Sequence, residues 1–132
     1  RYIENVAVWP VGHAGGCRWS GPLCDKNQKF SKWHTNWGKS RKFPIDMAGF
    51  GININFILIN KNVYFKQNTK YGFLENQFII DLSSNKTVSV PEGLCRHIYV
   101  WHTRTEKPMK AINGELALLK KKLNTHNEVQ DL

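Results

Sequence analysis

The sequence predicts an α/β fold, a mixed sheet with flanking helices, built as one domain from 132 residues. Three observations carry that expectation. β-branched apolar runs recur at the start, the middle and near the end of the chain. Residues 74–82 carry helical rather than alternating spacing. Hydrophobic residues make up 41% against 22% charged, enough to build one core and too apolar for disorder along the whole length.

"ENVAVWPVG" reads as a strand that enters a turn at Pro10 and Gly12. "GGCRWSGPL" follows as a Gly-rich loop, and the glycines of "VGHAGG" make a turn, lacking the spacing of a phosphate loop. Residues 29–43 interleave Phe30, Trp33, Trp37 and Phe43 with Lys29, Lys32, Lys39, Arg41 and Lys42; a short strand and then a loop are expected there, with Trp33 in the core. In "FGININFILIN", Ile52, Ile54, Phe56 and Leu58 alternate with Asn53, Asn55, Ile57 and Ile59, which predicts a central strand. Leu74, Phe78, Ile79 and Leu82 suit a helix face packed on that sheet, and "RHIYVWH" returns as a strand. After Pro108, Leu116, Leu119 and Leu123 share a helical face beside Lys120, Lys121 and Lys122, a helix of about ten residues that needs a partner surface.

A net charge of +9 favours an anionic partner: nucleic acid, a nucleotide phosphate, an acidic polysaccharide or a membrane surface. Cys17, Cys24 and Cys95 lack the paired spacing of a zinc site. One disulfide with a free thiol, or three reduced thiols, fit them equally. The sequon Asn85-Lys86-Thr87 tilts towards secretion. No signal peptide or membrane span is read, and the chain starts at Arg1 with residues that already look like strand, so it is expected to be the C-terminal part of a longer protein.

In "YVWHTRTEKP", an extended chain sends His102, Arg104 and Glu106 to one face. Imidazole and guanidinium together form a donor array for phosphate oxygens, or Arg104 simply pairs with Glu106 at an exposed strand end. Asp46 either accepts sugar hydroxyls or bonds nearby backbone amides. Glu75, at the start of the predicted helix, either favours the macrodipole or serves as a general base. Trp37 and Arg41, four apart, suit a stacked sugar or a stacked base. The neighbouring Asp46 favours sugar over nucleic acid, because a carboxylate repels a phosphate backbone.

The strings "VAVWPVGHAGG", "SRKFPIDMAGFGIN", "LENQFI" and "YVWHTRTEKP" resemble, in this order, the C-terminal half of the β-1,3-glucuronosyltransferases, over roughly residues 1–108. The resemblance implies the acceptor-binding part of a GT-A fold in residues 1–108, with 109–132 a basic tail, part helical. It implies an inverting, Golgi luminal, type II membrane-anchored and dimeric enzyme that passes glucuronate from UDP-glucuronate to the 3-hydroxyl of a terminal galactose with Mn²⁺. By position, Glu75 matches the base that deprotonates the acceptor. Trp37, Arg41 and Asp46 match the acceptor grip, and His102 and Arg104 match the donor-diphosphate ligands. Ser20 stands where the family often has a carboxylate, and Cys95 remains where its usual sequon is lost. No metal ligand is assigned in this chain. The Mn²⁺ and donor half are expected upstream of Arg1, and negligible transfer is expected from these residues alone. The other reading is a non-catalytic basic-aromatic module for acidic glycan or single-stranded nucleic acid.

Overall fold

The computed structural model describes residues 3–83 and 88–102, together with Leu116, Ala117 and Lys120 of the tail. The first apolar run is two strands, β1 (Val6–Val8) and β2 (Val11–Gly12), separated by Trp9 and Pro10. Proline has no N–H to give to a ladder, so pairing breaks there and the chain passes from one sheet to another. β1 pairs antiparallel with β5 (Phe50–Ile52), and Ser89 flanks its other side, exchanging backbone hydrogen bonds with Val6 and Val8. β2 joins β3 (Trp19–Cys24), β4 (Phe30–His34) and β6 (Val100–Trp101) in the order β4-β3-β2-β6. The β2–β6 pair is parallel and the others antiparallel, so this sheet is mixed, as expected.

Two helices follow β5. α1 (Ile54–Ile59) has no buried residue, whereas α2 (Leu74–Ser83) buries Phe78, Ile79 and Leu82. These three pack with Val6, Val8, Phe43, Ile45 and Val88 into the core, and Trp33 packs against its edge. Leu74, expected on the same face, is 39% exposed.

Three expectations are corrected. The "GGCRWSGPL" segment is not all loop, because residues 19–24 pair with both β2 and β4. Gly21 is there for close approach: a Cβ would overlap the Cα of Pro10. The central strand ends at Ile52. The Asn53 side chain accepts the Asn55 N–H at 2.9 Å and caps a helix, so the alternating residues beyond it turn helical and leave Ile54 and Leu58 exposed. The last strand is only Val100 and Trp101, because β2 offers just two residues to pair with. The sequon at 85–87, the strand end at 103–108 with Arg104 and Glu106, and Leu119, Lys121, Lys122 and Leu123 of the tail lie outside the described residues; Leu116 and Lys120 are helical.

Among the open cysteine alternatives, the structure has one disulfide, Cys24–Cys95, with Cys17 buried and outside any disulfide. The disulfide ties the end of β3 to the turn that leads into β6. At the opposite end of β3, Gly12 pairs with Trp19 and lies under the indole of Trp101, which occupies the space a side chain would need.

Candidate functional site

Arg41 is the centre of the first group of candidate residues. A turn closed by the Arg41 N–H to the Gly38 carbonyl, 2.9 Å, folds its side chain back so that the guanidinium carbon lies 3.6 Å from the centre of the Trp37 ring and 5.0 Å from that of Phe73. Stacking of this kind suits the planar, weakly hydrated guanidinium. Two glycines with left-handed backbone shape the slot. A Cβ on Gly38 would stand 2.9 Å from Arg41 Nε, and one on Gly72 would stand 2.7 Å from an Nη. Burial lowers the pKa of Arg41 from its ordinary value, against a smaller opposing contribution from the charge of Glu75.

The position of Glu75 is set by its neighbour. Asn76 is buried, and its side-chain oxygen accepts the Phe43 N–H at 2.8 Å, fastening the first turn of α2 to the segment that leads to Asp46. Thr35 does the same for Trp37. Its hydroxyl donates to the Trp37 carbonyl at 3.0 Å and accepts the Trp37 N–H at 3.2 Å, holding the indole half exposed with Arg41 against one face.

The second group is a pair. Asp46 begins a turn whose Gly49 N–H bonds back to the Asp46 carbonyl, while one carboxylate oxygen accepts the Ala48 N–H at 2.9 Å. The local reading of this aspartate, bonded to a backbone amide, is therefore correct but incomplete. Its other oxygen lies 3.1 Å from His102 Nδ1. Trp9 pins the turn from behind, its indole N–H donating to the Ala48 carbonyl at 2.8 Å. His102 is held from its own side by its backbone N–H, which donates to the Gly12 carbonyl at 2.9 Å.

The two groups meet around Trp37. A cavity of about 20 Å³, enough for one water, is lined by Trp37 and Asp46 with Trp9, Trp33 and Ser20. Ser20 is buried there and accepts the Trp33 indole N–H at 3.1 Å. The exposed part of Trp37 lies outside this cavity. A larger cavity, about 420 Å³, opens on the other side of Trp9 between Leu94, His97 and Tyr99, and no candidate residue lines it.

Arg41 stacks on Trp37, Trp37 and Asp46 line one cavity, and Asp46 meets His102, while Glu75 is linked to Arg41 only through its charge; Arg104 lies outside the described residues. Sequence reasoning overlooked Gly38, Gly72, Phe73, Thr35 and Asn76. Glycine before a predicted helix signals a turn, and nothing in it signals the guanidinium it accommodates. Among the described residues no three His, Cys, Asp or Glu side chains come together as a metal-binding group, so they offer the expected Mn²⁺ no ligand set.

The mixed sheet and two helices are consistent with a glycosyltransferase domain, and comparison makes the family specific. The chain belongs to glycosyltransferase family 43, whose description matches residues 1–106. It is 40% identical over 109 residues to the galactosylgalactosylxylosylprotein 3-beta-glucuronosyltransferase sqv-8 of Caenorhabditis elegans, covering 82% of this chain and 31% of that protein. Similar relatives include galactosylgalactosylxylosylprotein 3-beta-glucuronosyltransferase 3 of Homo sapiens, 39% identical over 82% of this chain and 32% of that protein. The chain therefore spans about a third of the length of the relatives it matches.

Proposed function

We propose that this chain is the acceptor-side part of an inverting glucuronosyltransferase that passes glucuronate from UDP-glucuronate to the 3-hydroxyl of a terminal galactose. The observation that supports it is the stacking of Arg41 on Trp37 beside the Asp46–His102 pair, with the charge of Glu75 acting on Arg41. A galactose ring packs on the open part of Trp37, with Arg41 and Asp46 taking its hydroxyls. Glu75 receives the proton of the attacking hydroxyl. That oxygen forms the new bond to the anomeric carbon from the face opposite the leaving group, and the bond to the UDP oxygen breaks. One base and no enzyme nucleophile are required, unlike a retaining glycosidase. His102, with Arg104 beside it in sequence, meets the negative charge that grows on the departing diphosphate, where preorganised donors act on the transition state.

In this reading the GT-A fold is completed, and Mn²⁺ is held, by residues outside these 132, in a Golgi luminal homodimer. The Cys24–Cys95 disulfide supports an oxidising compartment. The reading is tested by titrating the chain with a galactose-terminated oligosaccharide. Saturable binding that drops at least tenfold in both Trp37→Ala and Asp46→Ala is expected. Binding indifferent to both variants would overturn it, and so would steeply salt-dependent binding of oligonucleotides in place of the sugar.

A further inference from the structure

Asp46 and His102 belong to segments 56 residues apart, and each is anchored independently before it reaches the other. One carboxylate oxygen of Asp46 is engaged by the Ala48 N–H, and the His102 backbone is bonded to Gly12. The side chains are 29% and 42% exposed, so the pair stands at the surface, within reach of a ligand. A carboxylate is an acceptor only, so the proton between the two must sit on His102 Nδ1. The other ring nitrogen, Nε2, is then left for a ligand, and protonating it gives an imidazolium with one N–H on Asp46 and one directed outward.

We infer that Asp46 is a positioning residue for His102: it holds the Nδ1–H of the imidazolium so that the Nε2–H is directed at a phosphate oxygen, which joins the anion site to the hydroxyl-binding site through one shared carboxylate. The inference rests on the donor-diphosphate reading of His102 given above. It adds that the aspartate assigned to the sugar also sets the protonation pattern of the anion ligand. Occupying one site therefore changes affinity at the other, and by linkage the effect is mutual.

Asp46→Asn provides the test without removing the turn. The Ala48 N–H is a donor and needs an oxygen, so the amide oxygen of the new side chain stays on Ala48. Its NH₂ group then faces His102. Nδ1 has to become an acceptor, and the proton moves to Nε2. Nitrogen-15 NMR of the neutral imidazole is expected to show Nδ1–H in the wild type and Nε2–H in Asp46→Asn. The same tautomer in both overturns the inference. In parallel, inorganic pyrophosphate is titrated into the wild type, Asp46→Asn, His102→Ala and the double variant. A roughly tenfold loss is expected in Asp46→Asn, because the new NH₂ group opposes the Nδ1–H of an imidazolium whose Nε2–H donates outward, with little further loss when it is added to His102→Ala. Fully additive losses overturn the positioning role. If the tautomer changes but the wild type binds no pyrophosphate, the anion half of the inference falls together with the donor reading, while a failed tautomer change with intact pyrophosphate binding leaves that reading standing and removes only the role of Asp46.

Discussion

The side-chain oxygen of Asn76 accepts the backbone N–H of Phe43 at 2.8 Å, across 33 residues, and both groups are buried. That bond fastens the first turn of α2, which carries Glu75, to the segment that leads to Asp46. Asn76→Ala leaves the Phe43 N–H buried without a partner, at a cost of about 1–3 kcal/mol. The urea midpoint is expected to fall accordingly, with an unchanged slope.

Gly72 has φ 75°, and a Cβ there would stand 2.7 Å from an Arg41 Nη. Gly72→Ala therefore combines backbone strain of about 1–2 kcal/mol with displacement of the guanidinium from its slot between Trp37 and Phe73. Thermal denaturation should show the first effect. A several-fold loss of galactose-terminated oligosaccharide binding should show the second, and binding equal to wild type would mean that Arg41 takes no part in it.

The Cys24–Cys95 disulfide closes a loop between residues 71 apart. Constraint of the unfolded chain over a loop of that length stabilises by about 4 kcal/mol. Reduction, or the paired Cys24→Ser and Cys95→Ser variant, is expected to lower the urea midpoint by a corresponding amount. Because the bond ties β3 to the approach to β6, the His102 resonances should shift more than those of α2 in the same sample.

Lys66 Nζ lies 2.6 Å from an oxygen of Asp81, whose other oxygen accepts from Gln77 at 2.7 Å. The hydrogen bond from Lys66 lowers the pKa of Asp81 below its ordinary 3.8, and the hydrogen bond to Asp81 raises that of Lys66 above its ordinary 10.5. The Asp81 contribution to stability is present above pH 3.8 and disappears as the pH falls through the lowered folded value. The Lys66 contribution is present below pH 10.5 and disappears as the pH rises through the raised one. The Tm difference between wild type and Asp81→Asn is thus expected to be level through the neutral range and to shrink in acid. A difference that stayed constant down to pH 2 would refute the ion pair.

Where periodicity and burial agree, local reading succeeded. The spacing of Phe78, Ile79 and Leu82 is that of a helix face, and α2 buries all three. It failed where a single side chain changed the local geometry: Asn53 caps a helix in the middle of an alternating run, and alternation cannot distinguish a strand from six residues of capped helix. It failed again at residues 19–24, where glycine suggested loop and the pairing partners on both sides imposed strand. At the site, residue types were legible because Trp, Arg, Glu, Asp and His stand within recognisable strings. The supports were not: Thr35, Gly38, Gly72 and Asn76 act through bonds and clearances that have no local pattern.

By itself, the sequence determined the family, the helix that carries Glu75 and the choice of candidate side chains, because these depend on residue chemistry and short-range spacing. Only the tertiary structure decided that Arg41 lies between Trp37 and Phe73, that Cys24 meets Cys95, and that Asp46 meets His102. The last two are contacts between segments 71 and 56 residues apart. Their partners are chosen by how β2, β3 and β6 stack in one sheet, and a one-dimensional pattern holds no record of that choice until the chain has packed.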